Sequence, residues 1–412
     1  MISALITAVS LMAGPVPVRI EGKPGNYTLL RGGLPYEVRG VGGTRLMEEL
    51  VQMGGNSMRT WGTGEDTAAT SDKAQSRGVT IMMGIWLGHQ SYFNCKDPAK
   101  IAEQKREVLG ELAKYKDHPA LLVWGIGNEM DIDNDTPELW TAIEDIVREA
   151  KKIDPHHPFA TVVAEISPEK ISNIRRFCPS LDLLGINSYA GFDSLPKRIR
   201  EVGWTKPYLL TEFGANGPWE VKKTDFGLPY ELNSSEKADL FRKRYREGVM
   251  KGRGRLLGSF AFIWQDSKEV PGWFDTHLPG NIRSEQVDAL QEVWTGGKKR
   301  GNRAPRILMT SCDVSGKTIS PEAMITASIT LKDPDNDPLS YRWEVRRDAG
   351  DSPFGGQGPE PQPLVVNGPA DGQMESSTRF KAPREPGKYR VYVRAYDGHG
   401  NGATANWPFQ VK

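Results

Sequence analysis

The chain has 412 residues, with 53 Lys and Arg against 52 Asp and Glu. That balance leaves no electrostatic footprint for nucleic acid, and the length fits one large catalytic domain followed by a small module. Three cysteines, Cys95, Cys178 and Cys312, match neither a disulfide framework nor a zinc pattern. In an exported protein a single Cys95–Cys178 bridge stays open.

Residues 1–16 read as a signal peptide around the apolar run MISALITAVSLMAG, which is too short to span a membrane. No Lys or Arg stands near Met1, and a buried N-terminal segment is the alternative. The expectation is a secreted, periplasmic or cell-surface protein without stable membrane insertion. Next, VRIEGKPGNYTLLRGGLPYEVRGVGG reads as a hairpin with Gly-rich turns leading into a strand near 36–40.

From there apolar strands and amphipathic helices alternate. NSMRTWG, VTIMMGIW, ALLVWGIGNE, FATVVAE, LDLLGINSY, PYLLTEFG and LGSFAFIWQD are strands two to eight. The helix after ALLVWGIGNE has Thr136 as N-cap and Pro137 at its first position. Eight repeats over residues 36–296 predict an α/β fold, a (β/α)8 TIM barrel filling 17–296 together with its N-terminal hairpin. An open doubly wound sheet also alternates, but no glycine-rich phosphate loop follows an early strand.

Residues 297–303 are basic and glycine-rich, as a linker is. Beyond them, ITASITLKDPD, LSYRWEVRRD, STRFKAP and KYRVYVRAYD alternate polar and apolar residues with period two. Residues 304–412 are therefore expected to form a small all-β, immunoglobulin-like sandwich. Asp333, Asp335 and Asp337 offer oxygen ligands for calcium, or simply a solvated turn.

The run ALLVWGIGNE ends in Asn128 and Glu129, and YLLTEFG carries Glu212 near its end. Strands four and seven face each other across a barrel mouth, where catalytic residues gather. Two facing carboxyl groups suit glycosidic cleavage: one protonates the leaving oxygen, and the other attacks or stabilises the cationic sugar carbon. A surface salt bridge is the rival reading for either one alone. Other strand ends supply candidate substrate-binding residues. They are Arg59 and Trp61 on strand two, Trp86 and His89 after strand three, Asn187 and Tyr189 on strand six, and Trp264 on strand eight.

Arg59 would hold Glu212 ionised, Tyr189 would donate to the same carboxylate, and Trp264 would floor a pyranose ring. Core packing is the alternative for the three tryptophans, and a structural role for His89. Asp131, Asp133 and Asp135 start like an EF-hand loop but place Thr136 at position six and Ala142 at position twelve, which breaks the pattern.

The Asn128-Glu129 and Glu212 motifs resemble those of clan A glycoside hydrolases, and the lead-in and NSMRTWG are most similar to the barrel of glycoside hydrolase family 2; family 5 is also similar. The resemblance implies a retaining two-glutamate mechanism with Glu129 as acid/base, Glu212 as nucleophile and Asn128 on the sugar 2-hydroxyl. It implies a β-glucan, mannan or related glycoside as partner, and no cofactor and no metal. A transglycosidase using the same residues and a non-catalytic carbohydrate-binding protein on a barrel scaffold are the alternatives. DPDNDPLSYRWEV resembles PKD or cadherin-like sandwiches of secreted polysaccharide-active enzymes, which suggests a polysaccharide or cell-surface contact there.

Overall fold

A computed structural model of the protein describes residues 14–132, 134–265, 272–298, 301–348, 365–367 and 375–412. The expected signal peptide falls largely outside the described residues, as do Asp133 and part of the expected linker. No described helix is long and apolar enough to cross a membrane.

Three short strands come first, β1 (Val18–Lys23), β2 (Asn26–Arg31) and β3 (Leu34–Pro35), paired antiparallel. They close the floor of a barrel: Val18 and Leu29 are buried against Val38 and Leu122, and Arg31 donates to the Pro119 carbonyl. Then β4 (Val38–Gly42), α1 (Met47–Gln52), β5 (Ser57–Arg59), α2 (Thr67–Ser76), β6 (Thr80–Ile85), α3 (Pro98–Tyr115) and β7 (Leu121–Asn128) alternate. The series continues with α4 (Pro137–Ile153), β8 (Phe159–Ala164), α5 (Pro168–Phe177), β9 (Leu183–Asn187), α6 (Leu195–Glu201), β10 (Tyr208–Phe213), α7 (Ser234–Arg244) and β11 (Leu256–Ala261). Strands β4 to β11 pair in parallel in chain order, and β11 returns to β4, closing the eight-stranded barrel.

The local causes are visible. β7 is buried along nearly its whole length because it packs a barrel interior on one face and helices on the other, hence its unbroken apolar run. Its neighbour α4 buries Leu139, Trp140, Ile143, Ile146, Val147 and Ala150, one stripe at helical spacing. Thr136 accepts from the Leu139 amide with Pro137 at the first position, as the sequence predicts. Asp97, Ser167 and Ser284 cap other helices, and Asn233 with Glu236 forms a full capping box on α7. Gly84 sits at a close approach: a Cβ there would lie 2.4 Å from the Thr60 carbonyl oxygen, so β6 can pass β5 only with glycine at this position.

A two-strand hairpin, β12 (His277–Leu278) and β13 (Ile282–Arg283), precedes α8 (Glu285–Thr295), which completes the helical ring. The sandwich comes next as two sheets. One holds β14 (Arg306–Cys312), β16 (Met324–Lys332) and β19 (Ser377–Lys381); the other runs β15 (Thr318–Ile319), β21 (Gly402–Val411), β20 (Gly387–Tyr396), β17 (Ser340–Arg347) and β18 (Val365–Asn367). Between them lie Ile325, Val345, Val391 and Phe409, with Trp343 and Trp407 stacked at 6.2 Å. The sandwich is fastened to the barrel by polar contacts. Arg306 pairs with Asp239 and Glu285, the Ile307 amide donates to Ser235 Oγ, and Arg390 donates to the Pro229 carbonyl.

Two alternatives that the sequence leaves open are decided by side-chain placement. Cys95 and Cys178 are both buried and both free: Cys95 Sγ receives the Asn134 amide at 3.3 Å, while Cys178 caps the end of α5. Of the three alternate aspartates, Asp333 and Asp337 offer oxygens within 4.8 Å of each other, but Asp335 does not join them. Asp335 is drawn off by Arg303, whose backbone N–H and guanidinium both donate to it, 2.8 and 3.1 Å away.

Candidate active site

The C-terminal rim of the barrel opens into a cavity of about 590 Å³, within the usual range for ligand pockets. Glu129 and Glu212 both line it. Glu129 follows the last residue of β7 with φ +53°, a left-handed conformation few non-glycine residues adopt. Gly127, at φ +75°, turns the strand end just before it. Strain of this kind concentrates at functional positions.

The two carboxylates have opposite surroundings. Glu212 lies within β10 and accepts three hydrogen bonds: Arg59 Nη1 at 2.8 Å and Trp61 Nε1 at 2.9 Å on Oε1, and the Tyr189 hydroxyl at 2.7 Å on Oε2. Glu129 has one neutral donor among the described residues, Asn187 Nδ2 at 2.8 Å. Burial raises the Glu129 carboxyl to about 7, with the nearby negative charge of Glu212 adding to it, while the Asn187 bond opposes the rise. Burial also holds the Tyr189 phenol well above its ordinary value, reinforced by Glu212 and Glu129, so it stays a donor.

Arg59 is buried and spans the site. Besides Glu212 it reaches Asn128 Oδ1 through Nη2 at 2.6 Å and the Thr211 carbonyl through Nη1 at 3.0 Å. Asn187 is fixed in turn, since Thr211 Oγ1 donates to its Oδ1 at 2.7 Å. The amide of Asn187 is thereby aimed at Glu129. Arg59 touches both carboxylate-bearing strands without lining the cavity, so it positions rather than contacts ligand.

Trp61 and Trp86 are on the wall as expected, and Trp86 is exposed there with its Nε1 bonded to the Tyr92 hydroxyl. His89 is not on the wall; it stacks behind Trp86 at 5.0 Å and supports that ring. Trp264 is a correction. It is fully buried, donates to the Leu46 carbonyl at 3.4 Å and meets His277 edge-on, because the chain turns after β11 and sends this ring into the core. Its expected place is taken by Phe262 and Ile263, joined by a cis peptide bond, and by Phe274.

Sequence reasoning missed Glu165, Trp219, Glu220 and Phe274, all on the wall. Glu165 was legible, since FATVVAE ends in a carboxylate just as ALLVWGIGNE does. It too has a positive φ, +58°, and is held by Ser188 Oγ at 2.6 Å and Arg198 at 3.0 Å. Trp219, Glu220 and Phe274 lie in loops after β10 and β11 and carry no periodic signal. Of the failed EF-hand run, Asp131 pairs with Lys170, and Asp135 accepts from Trp140 Nε1, so both are structural. Ile132 between them reaches the cavity wall.

Known proteins share this architecture. No family model matches the chain. A curated β-glucuronidase from Paenibacillus borealis is 24% identical over 165 residues, 35% of this chain and 26% of that protein. Among solved structures, a β-D-glucuronidase from Dictyoglomus thermophilum superposes with a TM-score of 0.52 at 17% identity, covering 68% of this chain and 53% of that one. A Bacteroides uniformis β-glucuronidase gives 0.52 at 12% identity, covering 96% of this chain and 48% of that one. A family 2 β-galacturonidase from Eisenbergiella tayi gives 0.51 at 15%, covering 69% and 55%. The chain shares its fold with these glycosidases. It spans about half the length of the structural neighbours and about a quarter of the curated relative.

Proposed function

We propose that the protein is a retaining β-glycoside hydrolase acting on neutral β-linked oligo- or polysaccharides. The observation that carries this reading is the asymmetry of the two carboxylates. Charged and neutral donors converge on Glu212, which suits a nucleophile, while a raised value at Glu129 suits a general acid that holds its proton near neutrality.

In the first step Glu129 protonates the glycosidic oxygen as Glu212 attacks the anomeric carbon, so the leaving sugar departs and a glycosyl ester forms on Glu212. In the second, Glu129, now ionised, takes a proton from the water that attacks the same carbon and frees Glu212. Asn128, anchored by Arg59, stands on the wall beside Glu129 where the resemblance assigns contact with the sugar 2-hydroxyl.

Neutral sugars are favoured by charge. The described wall carries Glu129, Glu165, Glu212 and Glu220 and no Lys or Arg, so a substrate carboxylate would meet like charges. Trp61, Trp86 and Trp219 provide faces on which uncharged pyranose rings stack.

The test is a panel of aryl β-glycosides, β-uronides, β-glucans and mannans, given to the wild type and to Glu129→Ala and Glu212→Ala. Turnover of neutral glycosides by the wild type alone supports the reading. A preference for uronides removes the neutral-substrate part, and sugar binding without turnover by folded wild type favours a carbohydrate-binding protein. New oligosaccharides formed with added acceptor sugars indicate transglycosylation.

A further inference from the structure

We propose that Glu165 selects the departing sugar: its carboxylate accepts one hydroxyl of the unit on the leaving side and so holds the glycosidic oxygen against Glu129. The inference rests on the hydrolase reading, in which Glu129 gives its proton to the leaving oxygen and the departing unit therefore lies on the Glu129 side of the cavity. Glu165 directly follows β8, the strand paired with β7, and β7 ends just before Glu129. Both glutamates line the same cavity.

The backbone fixes where Glu165 stands relative to Glu129. The Glu129 amide donates to the Val162 carbonyl at 2.8 Å, and the Ala164 amide donates to Asp131 Oδ1 at 3.2 Å. Lys170, the ion-pair partner of Asp131, also donates from Nζ to the carbonyls of Ala164 and Glu165 at 2.7 and 2.9 Å. Two neighbouring strands thus each lead into a carboxylate on left-handed backbone, φ +53° at Glu129 and +58° at Glu165. Strain repeated at one rim is kept where side chains must be aimed.

The acceptor count of Glu165 leaves room for a ligand. A carboxylate offers about four acceptor sites. Among the described residues three are taken: Oε1 receives the Ile166 amide and Arg198 Nη2, both at 3.0 Å, and Oε2 receives Ser188 Oγ at 2.6 Å. The remaining site belongs to Oε2, on a side chain that stays 39% exposed at the cavity wall. Gly191 permits this placement, since a Cβ there would lie 2.1 Å from Oε2 and would push the carboxylate away.

A carboxylate held by three donors has no need to reorganise when a substrate arrives, so it can orient the group it accepts. A sugar hydroxyl supplies the donor that Oε2 lacks, and a nitrophenyl aglycone has none to offer. The consequence is a preference for sugar over non-sugar leaving groups.

The full chain, with Glu165→Ala and Gly191→Ala, is given the 4-nitrophenyl β-glycoside and the β-linked disaccharides of the neutral sugar that wild type cleaves, together with disaccharides lacking one hydroxyl of the leaving unit. The readout is kcat/KM for disaccharide over kcat/KM for aryl glycoside. That ratio should fall about 10- to 100-fold in Glu165→Ala, as expected for a lost hydrogen bond to a charged group, and in the same direction in Gly191→Ala. A purely structural role for the Glu165–Arg198 pair would lower both substrates together, and an unchanged ratio overturns the proposal. Wild type should also cleave one deoxy analogue at least about tenfold more slowly than its parent, a gap that closes in Glu165→Ala. Wild type that treats every analogue like the parent, or cleaves the aryl glycoside but no disaccharide, overturns the proposal whatever the folding of the variants. Wild type that turns over no neutral glycoside at all removes the hydrolase reading, and this inference with it.

Discussion

Arg59 and Glu212 form a buried ion pair, 2.8 Å from Nη1 to Oε1, although they belong to strands β5 and β10 on different parts of the barrel rim. A buried guanidinium must be fully paired, and this one spends its other contacts on Asn128 and the Thr211 carbonyl. One side chain thus ties the strand of Glu212 to the strand that delivers Glu129. The geometry of both carboxyl groups depends on it.

The pH profile is set by Glu129. The acid must be protonated, and its carboxyl is held near 7, so kcat/KM should fall with an alkaline limb centred near pH 7. A rate profile on a neutral aryl β-glycoside checks this. In Glu129→Gln that limb should vanish along with most of the activity on substrates with poor leaving groups.

The same shift costs stability. In the folded chain Glu129 keeps a proton that the unfolded chain releases near the ordinary value of 4.5, so stability declines as pH rises from about 4.5 to 7. Glu129→Gln removes that penalty. Above pH 7 it should be more stable than wild type, by up to about 3 kcal/mol, and the gain should disappear at pH 4. Thermal unfolding of both proteins across this range is the measurement.

Tyr189→Phe deletes one donor to Glu212 and nothing else of comparable size. A hydrogen bond to a charged group contributes about 1.5–3 kcal/mol, so kcat should drop about 10- to 100-fold with the fold intact. Steady-state kinetics beside circular dichroism will show it.

Trp86 and Trp264 should separate cleanly. Trp86→Ala, at an exposed wall position, should raise KM for oligosaccharides with little change in stability. Trp264→Ala opens a cavity in the core and should destabilise the protein by about 3–5 kcal/mol. Denaturant titrations and KM values on the two variants test this reassignment.

Much of the barrel was legible in the sequence because its strands carry their signal locally. Unbroken apolar runs mark β7 and β10, caps such as Thr136 mark the helix starts, and the carboxylates at 129 and 212 come where such runs end. The positions of Trp264 and Phe262 were not, since neighbours two apart after β11 face opposite ways only once the chain turn is known. The fate of Asp335 was hidden too: it depends on Arg303, 32 residues away, and on how two loops meet. Loop-borne walls such as Trp219 and Phe274 depend on tertiary packing that no periodicity encodes.

The central claim is that Glu212 attacks the sugar while Glu129 supplies the proton. It is tested most directly by following the anomeric protons of the first-formed product by NMR as wild-type enzyme cleaves a neutral β-glycoside. The account predicts that the β-anomer appears first and the α-anomer only later, by mutarotation, with no product from Glu212→Ala. Initial release of the α-anomer, or turnover undiminished in Glu212→Ala, would contradict it.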